Sequence, residues 1–166
     1  MIVETSRLVI RRLAAADVPS LPAIWCGPEV TRFLGGPRNF QKVSDSLRED
    51  LAAVVPPTFD VRPAIEKATG RVVGDCGVLD KTVEGQPEFE LVYVLAVEVW
   101  GRGCATEAAA AMSQHAVRVL GLKRLISLID LDHLASRRVA EKIGMTQGRE
   151  VARPGGKKLL YVIDLE

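Results

Sequence analysis

The chain has 166 residues, the size of one domain with room for a real core, and 48% hydrophobic with 26% charged residues is an ordinary globular balance. Its net charge of +1 excludes, on composition, a general nucleic-acid binder or an anionic-membrane binder. The three cysteines, Cys26, Cys76 and Cys104, are far apart and form no C-x-x-C pair, and there are two histidines, so neither a disulfide framework nor a metal site is expected.

In chain order, "MIVETSRLVIRRL" is broken by charge before any apolar run reaches signal-peptide length. No later segment is suited to span a bilayer, and the expectation is a soluble, cytoplasmic protein, monomer or homodimer. "SRLVIRRL" alternates as a strand with Leu8 and Ile10 on one face. Asp17 reads as the N-cap of a short helix through Ile24, with Pro19 in its first turn. "GGPRNF" is a loop, and Leu47, Leu51 and Val54 give a helix from Ser44 that "PPT" ends. Strands "AIEKA" and "VVGDCGVL" flank the turn "TGR"; a loop "DKTVEGQ" and the strand "EFELVYVLAV" from Glu88 follow, ending near Val97.

A helix is expected from about Gly103 to Leu120, its buried stripe made by Ala105, Ala108, Ala109, Met112, Ala116 and Val119, with Gly121 at its end. "LKRLISLI" is a strand, "LASRRVAEKI" a short helix with Gly144 beyond it, and "KKLLYVIDL" a closing strand. No repeat, low-complexity tract or linker divides residues 1–166, which read as one mixed α+β domain.

The stretch "VWGRGCATEA" carries the chemistry. A strand, a glycine-containing loop and a helix start leave free N–H groups at the positive end of a helix, which suits phosphate. Gly101 and Gly103 permit close approach, while Arg102 and Thr106 offer a charge and a hydroxyl. By spacing alone a plain strand-to-helix turn is the simpler reading. Two phosphate motifs are excluded: Thr106 stands where G-x-G-x-x-G needs its third glycine, and no glycine here precedes Lys-Ser or Lys-Thr.

Four segments in order, "ETSRLVIRRL", "TGRVVGDCGVL", "ELVYVLAVEVWGRGCATEA" and "DHLASRRVAEKIGM", resemble the GNAT acetyltransferases over nearly the whole chain. Within them the chain is most similar to the Rim-like branch of ribosomal-protein N-terminal acetyltransferases. The resemblance implies a V-shaped mixed central sheet flanked by helices and acetyl-coenzyme A as donor. It places the coenzyme pyrophosphate at Arg102, Gly103, Cys104, Ala105 and Thr106, and the pantetheine arm along Leu95, Ala96 and Val97.

This sequence departs from the family pattern at several places. Trp100 holds the place of a Gln or Arg, as is common in the Rim-like branch. Cys104 replaces an aromatic, Val92 a glycine of "E-I-G-Y", and His133 the usual asparagine at the coenzyme site. The tyrosine that many members use as general acid would fall at Ala140, so that role is vacant.

Acetyl transfer to an amine needs a neutral amine, a stabilised oxyanion and a proton for the leaving thiolate. At pH 7 about a tenth of an α-amine is neutral but only about one lysine in a few thousand, so a weakly basic acceptor asks less of a base. Glu90 matches an acidic residue that several members use as base; a solvated strand carboxylate is the other reading, and Glu88 shares its face as fallback. Ser136 matches a serine of the Rim-like pattern at the leaving sulfur, with helix capping as the simpler reading. His133 offers a proton relay, though a histidine at a helix entrance is more simply structural. Cys104 reads as buried packing, and the covalent route is set aside because transfer in the family is direct. Trp25, Phe33 and Phe40 are candidates for the acceptor side.

The expectation is a GNAT-fold N-acetyltransferase passing an acetyl group from acetyl-CoA to a primary amine, a protein N-terminus or a small molecule. No nucleic acid, membrane or metal takes part. The vacant tyrosine leaves a second class open, a coenzyme-binding regulatory module without catalysis.

Overall fold

Alternating burial builds the sheet. In the computed structural model, which describes residues 3–165, eight strands are assigned: β1 (Val3–Glu4), β2 (Leu8–Ile10), β3 (Asp60–Glu66), β4 (Val72–Val83), β5 (Gln86–Leu95), β6 (Arg124–Asp130), β7 (Thr146–Arg153) and β8 (Gly156–Asp164). They lie in one sheet in the order β1-β2-β3-β4-β5-β6-β8-β7, antiparallel at every step except the parallel pair β5/β6. The helices are α1 (Leu21–Cys26), α2 (Pro28–Thr31), α3 (Phe40–Ala52), α4 (Cys104–Arg118) and α5 (Leu134–Lys142). The mixed α+β architecture is the one expected. Among the described residues no helix is long and apolar enough to cross a membrane.

The core sits mainly between the sheet and α4. Leu8, Ile10, Cys76, Val78, Leu91 and Leu95 pack against Ala108, Ala109, Met112 and Ala116 of the helix. The alanines let α4 lie close on the strands, where larger side chains would hold it off. Val119 leaves this stripe: it follows the helix and is 67% exposed. On β6 the two faces diverge, Ile129 packing with Ala140 of α5 and Ile126 packing with Val83, Val151 and Leu160 on the other side.

Several expected elements are corrected. Asp17 caps no following helix. It closes a single 3-10 turn (Ala15–Asp17), and its buried carboxylate accepts from the Ala14 amide at 2.8 Å and from Arg11 at 2.7 and 2.8 Å. A buried carboxylate needs that charge-assisted pair more than a helix needs a cap. The helix itself begins at Leu21, with Pro22 rather than Pro19 in its first turn. Helix α3 starts four residues before Ser44, because Asn39 caps it by accepting from the Lys42 amide at 2.9 Å; Val54 lies beyond its end and is exposed.

"DKTVEGQ" is strand and hairpin rather than loop. Glu84 and Gly85 both take positive φ, 49° and 80°, the pair of conformations a two-residue hairpin needs, so β4 runs on to the buried Val83. β5 ends at Leu95, and Val97–Val99 is a single 3-10 turn. Strand β7 gave no sequence signal because Val151 is its one buried residue. Helix α2 is a single turn that begins at Pro28 and is equally silent in the sequence.

Candidate active site

The two parallel strands barely touch. β5 and β6 share one register pair, Glu90 with Ile126, and are otherwise joined through side chains, among them Ser127 Oγ donating to the Leu91 carbonyl at 2.8 Å. Beyond that point they splay, and a cleft of about 360 Å³ runs between them from α2 to the start of α4. The Ala96 amide is bonded to the Val73 carbonyl at 2.8 Å. By ladder alternation, the main-chain groups of Leu91, Tyr93 and Leu95 therefore point away from β4 and into the splay. The Leu95 carbonyl accepts from the Trp100 indole at 2.7 Å. Of the expected pantetheine stretch, Leu95 lines the cleft, Ala96 is turned to β4, and Val97 begins the 3-10 turn with 40% of its surface exposed.

At the far end of the cleft the loop behaves as its glycines require. Gly101 and Gly103 have φ of 70° and 79°, and Gly103 is the N-cap of α4. The first intrahelical bond runs from the Glu107 amide to the Gly103 carbonyl at 3.0 Å. The amides of Gly103, Cys104, Ala105 and Thr106 therefore have no acceptor within the helix and sit at its positive end. That cradle suits an anion of diphosphate size. The Cys104 side chain is not part of it, being 1% exposed within the core cluster. Arg102 turns to Glu66 at 2.7 Å. Glu107 accepts from Ser6 Oγ at 3.0 Å, the Arg7 amide at 2.8 Å and Arg7 Nε at 2.7 Å. Although desolvation acts to raise it, these donors together with Thr5 hold the Glu107 carboxyl down at about 2.

The cleft has two chemically different sides. Parity along β5 puts Glu90, Val92 and Val94 on the face away from α4, and Leu91, Tyr93 and Leu95 on the face that α4 and α5 cover. The Glu90 side chain is 13% exposed, with Lys81 Nζ at 3.7 Å and the Leu128 amide at 3.4 Å. Burial pushes its carboxyl above the ordinary range, against the pull of Lys81, the Leu128 amide and Arg153. Glu88 is elsewhere, paired with Arg124 at 3.2 Å.

On the helical face, Tyr93 donates its hydroxyl to the Ser136 carbonyl at 3.0 Å and accepts from Ser136 Oγ at 3.1 Å. Ser136 is the third residue of α5, whose N-cap is His133, so it does not cap the helix. Burial pushes the Tyr93 phenol up to about 12, against the lowering effect of Ser136, so the group keeps its proton at neutral pH. Sequence reasoning missed Tyr93. The signal was its parity with Leu91 and Leu95, two residues before the loop's strand ends. Ala140, where the family's tyrosine would fall, is fully buried against Ile129 and Tyr161.

His133 stacks on Phe33 with ring centroids 4.5 Å apart, and its burial holds its pKa below the usual value despite Asp130. Lys158 ties that contact across the cleft, donating to the Phe33 carbonyl at 3.2 Å and to Asp130 at 2.8 Å. Phe33 thus lines the cleft. Trp25 instead donates its indole N–H to the buried Asp75 at 2.8 Å, and Phe40 is half exposed on α3. Among the described residues, no three His, Cys, Asp or Glu side chains converge on a possible metal position.

Comparison with known proteins gives the family and the fold. The family model described as an acetyltransferase (GNAT) domain matches residues 7–146. The uncharacterized protein YkkB of Bacillus subtilis is 37% identical over 90 residues, 54% of this chain and 52% of that protein, so the match spans about half its length. The uncharacterized N-acetyltransferase YoaA of the same organism is 27% identical over 146 residues, covering 86% of this chain and 81% of its own. Among solved structures, a GNAT-family acetyltransferase from Bacillus anthracis superposes with a TM-score of 0.84 at 21% identity, over 98% of this chain and 97% of that one.

Proposed function

The chain belongs to the GNAT acetyltransferase family, and on that premise we propose that it is an N-acetyltransferase passing an acetyl group from acetyl-CoA directly to a primary amine, on a protein N-terminus or a small molecule. The observation that carries this reading is the division of the cleft: a largely buried, weakly acidic Glu90 on one face and the protonated Tyr93–Ser136 pair on the other. In an aminolysis the base serves the attacking nitrogen and the acid the departing sulfur, so two groups reaching the cleft from different faces can serve the two atoms.

The residues present fit the coenzyme. The amides of Gly103, Cys104, Ala105 and Thr106 would hold its diphosphate, and the inward edge of Tyr93 and Leu95 would hold its amide-bearing arm. Arg102 is held by Glu66, which offsets its charge, and His133 walls the arm by its stack on Phe33. Bound acetyl-CoA supplies a thioester carbonyl open to attack by a neutral amine.

Glu90 takes the proton that the amine must lose, and its raised pKa makes it a stronger base than a solvated carboxylate. Tyr93 Oη gives its proton to the departing sulfur. Ser136 Oγ, already donating to that oxygen, steadies the phenolate left behind until a solvent proton restores it. Three free cysteines suit the reducing interior of a cell.

A thiol-release assay over a panel of peptides and small amines, run beside calorimetry with coenzyme A, tests the reading. Turnover with at least one amine is expected. Tight coenzyme binding with no amine-dependent thiol release would replace it with a non-catalytic coenzyme-binding module.

A further inference from the structure

Arg7 lies in the segment between β1 and β2, a hundred positions before Glu107 of α4, which it touches. Its amide and Nε close on the two oxygens of Glu107 at 2.8 and 2.7 Å, and its Nη1 donates to the Arg102 carbonyl. Its Nη2 stands 3.1 Å from the place a Cβ on Gly103 would take. The segment is itself anchored, since the Arg7 carbonyl accepts from the Lys67 amide at 2.8 Å. A second tie runs parallel to it: Arg102 Nη2 to Glu66 at 2.7 Å, with Thr69 bonded to the other Glu66 oxygen at 2.8 Å. The loop between Trp100 and Cys104 is thus fastened to strand-side elements by two arginines, one at its carbonyl and one at its side chain.

Glu107 makes this arrangement necessary. It sits in the first turn of α4, where a carboxylate is favoured by the helix but competes with an anionic ligand for the same positive end. Left unpaired, its charge would repel a diphosphate held one turn below. We propose that Arg7 is a positioning residue of the coenzyme site, which cancels the charge of Glu107 and pins the Arg102 carbonyl so that the four amides from Gly103 to Thr106 stay open to an anion. This inference rests on the reading of that loop as the diphosphate cradle. Sequence alone gave no hint of it, because the partners are drawn from opposite ends of the fold.

The test uses the full chain, titrated calorimetrically with coenzyme A and assayed with acetyl-CoA. Wild type is titrated first, and failure of wild type to bind removes the cradle reading and this inference with it. With wild type binding, Arg7→Met is expected to weaken coenzyme A about tenfold, with a matching rise in the acetyl-CoA KM and no change in kcat at saturation. Arg7→Lys keeps the charge and loses the fork, so it recovers part of the affinity, and it serves as the folded variant should Arg7→Met not fold. Adding Glu107→Gln to Arg7→Met removes the uncancelled charge and tightens binding relative to Arg7→Met alone. Wild-type affinity in both Arg7 variants, a fall in kcat with KM unchanged, or a double variant no tighter than its Arg7→Met parent overturns the proposal.

Discussion

The Ser136 hydroxyl donates to the Tyr93 hydroxyl, and Tyr93 returns its own proton to the main-chain carbonyl of the same serine, at 3.1 and 3.0 Å. In the proposed mechanism the two side chains act as one unit, Tyr93 carrying the mobile proton and Ser136 supporting it. Tyr93→Phe should therefore lower kcat by about ten- to a hundredfold, at or below the low end of general-acid effects because water can partly replace the phenol. Ser136→Ala should cost less, and the double variant should be no slower than Tyr93→Phe. Single-turnover thiol release measures all three; additive losses would mean that Ser136 acts on its own.

Glu90 titrates above the ordinary carboxylate range because it is buried, and a base works only when ionised. As pH falls through that raised value, kcat at saturating substrates should fall with it. Glu90→Gln should flatten this acid limb and lower kcat while leaving coenzyme A affinity near wild type. The kcat–pH profile and a calorimetric titration together check this, and an unaltered limb returns Glu90 to the surface carboxylates.

Gly103 holds φ of 79°, and an added Cβ would lie 3.1 Å from the Arg7 guanidinium. Gly103→Val meets both a left-handed backbone and that contact, and should abolish coenzyme A binding. Arg102→Ala should weaken binding only about threefold, since Arg102 is engaged by Glu66 and the anion is met by main-chain donors. Calorimetry that ranks the two variants in the opposite order would move the site elsewhere.

Asp75 is buried with the Trp25 indole donating to it, and desolvation pushes its pKa up to about 6, partly offset by that bond. Its native value lies above its unfolded one, so the native state holds the proton more tightly. Its contribution to stability is complete below the unfolded pKa and is lost as pH rises through about 6. Asp75→Asn keeps an acceptor for Trp25 and cannot ionise. It should exceed wild type by up to about 3 kcal/mol at pH 8 and lose most of that gain near pH 4.5. Denaturant midpoints at the two pH values read this directly.

Much of this molecule could be read from its residues. The small-residue stripe of α4 and the glycines before it announce a close-packed helix with an open N-terminus, and Glu90 is legible as a carboxylate on the strand that enters the loop, although Tyr93 three residues on is not. Sequence lost the elements whose logic is not periodic. The polar edge strand β7 has a single buried side chain, and the Glu84–Gly85 hairpin hides in a charged run. The Asp17 carboxylate answers to Arg11 rather than to the helix after it. The Arg7–Glu107 and Trp25–Asp75 pairs join residues far apart in the chain, and no local pattern encodes such a partnership.

The single pairing between β5 and β6 also has a bearing on how the chain reaches its native state. One side of the sheet comes from residues before 96 and the other from residues after 123, and within each side every strand neighbour is antiparallel. The parallel join is the weak seam, and it coincides with the cleft. Each side can gain its own ladder bonds before the two meet, which makes closure of the seam a late folding event and its reopening a low-energy fluctuation. A molecule lodged there acts as mortar between two half-sheets. Hydrogen exchange at the Tyr93 and Leu95 amides, slowed on adding ligand far more than exchange within β3 or β4, is the signature of that role.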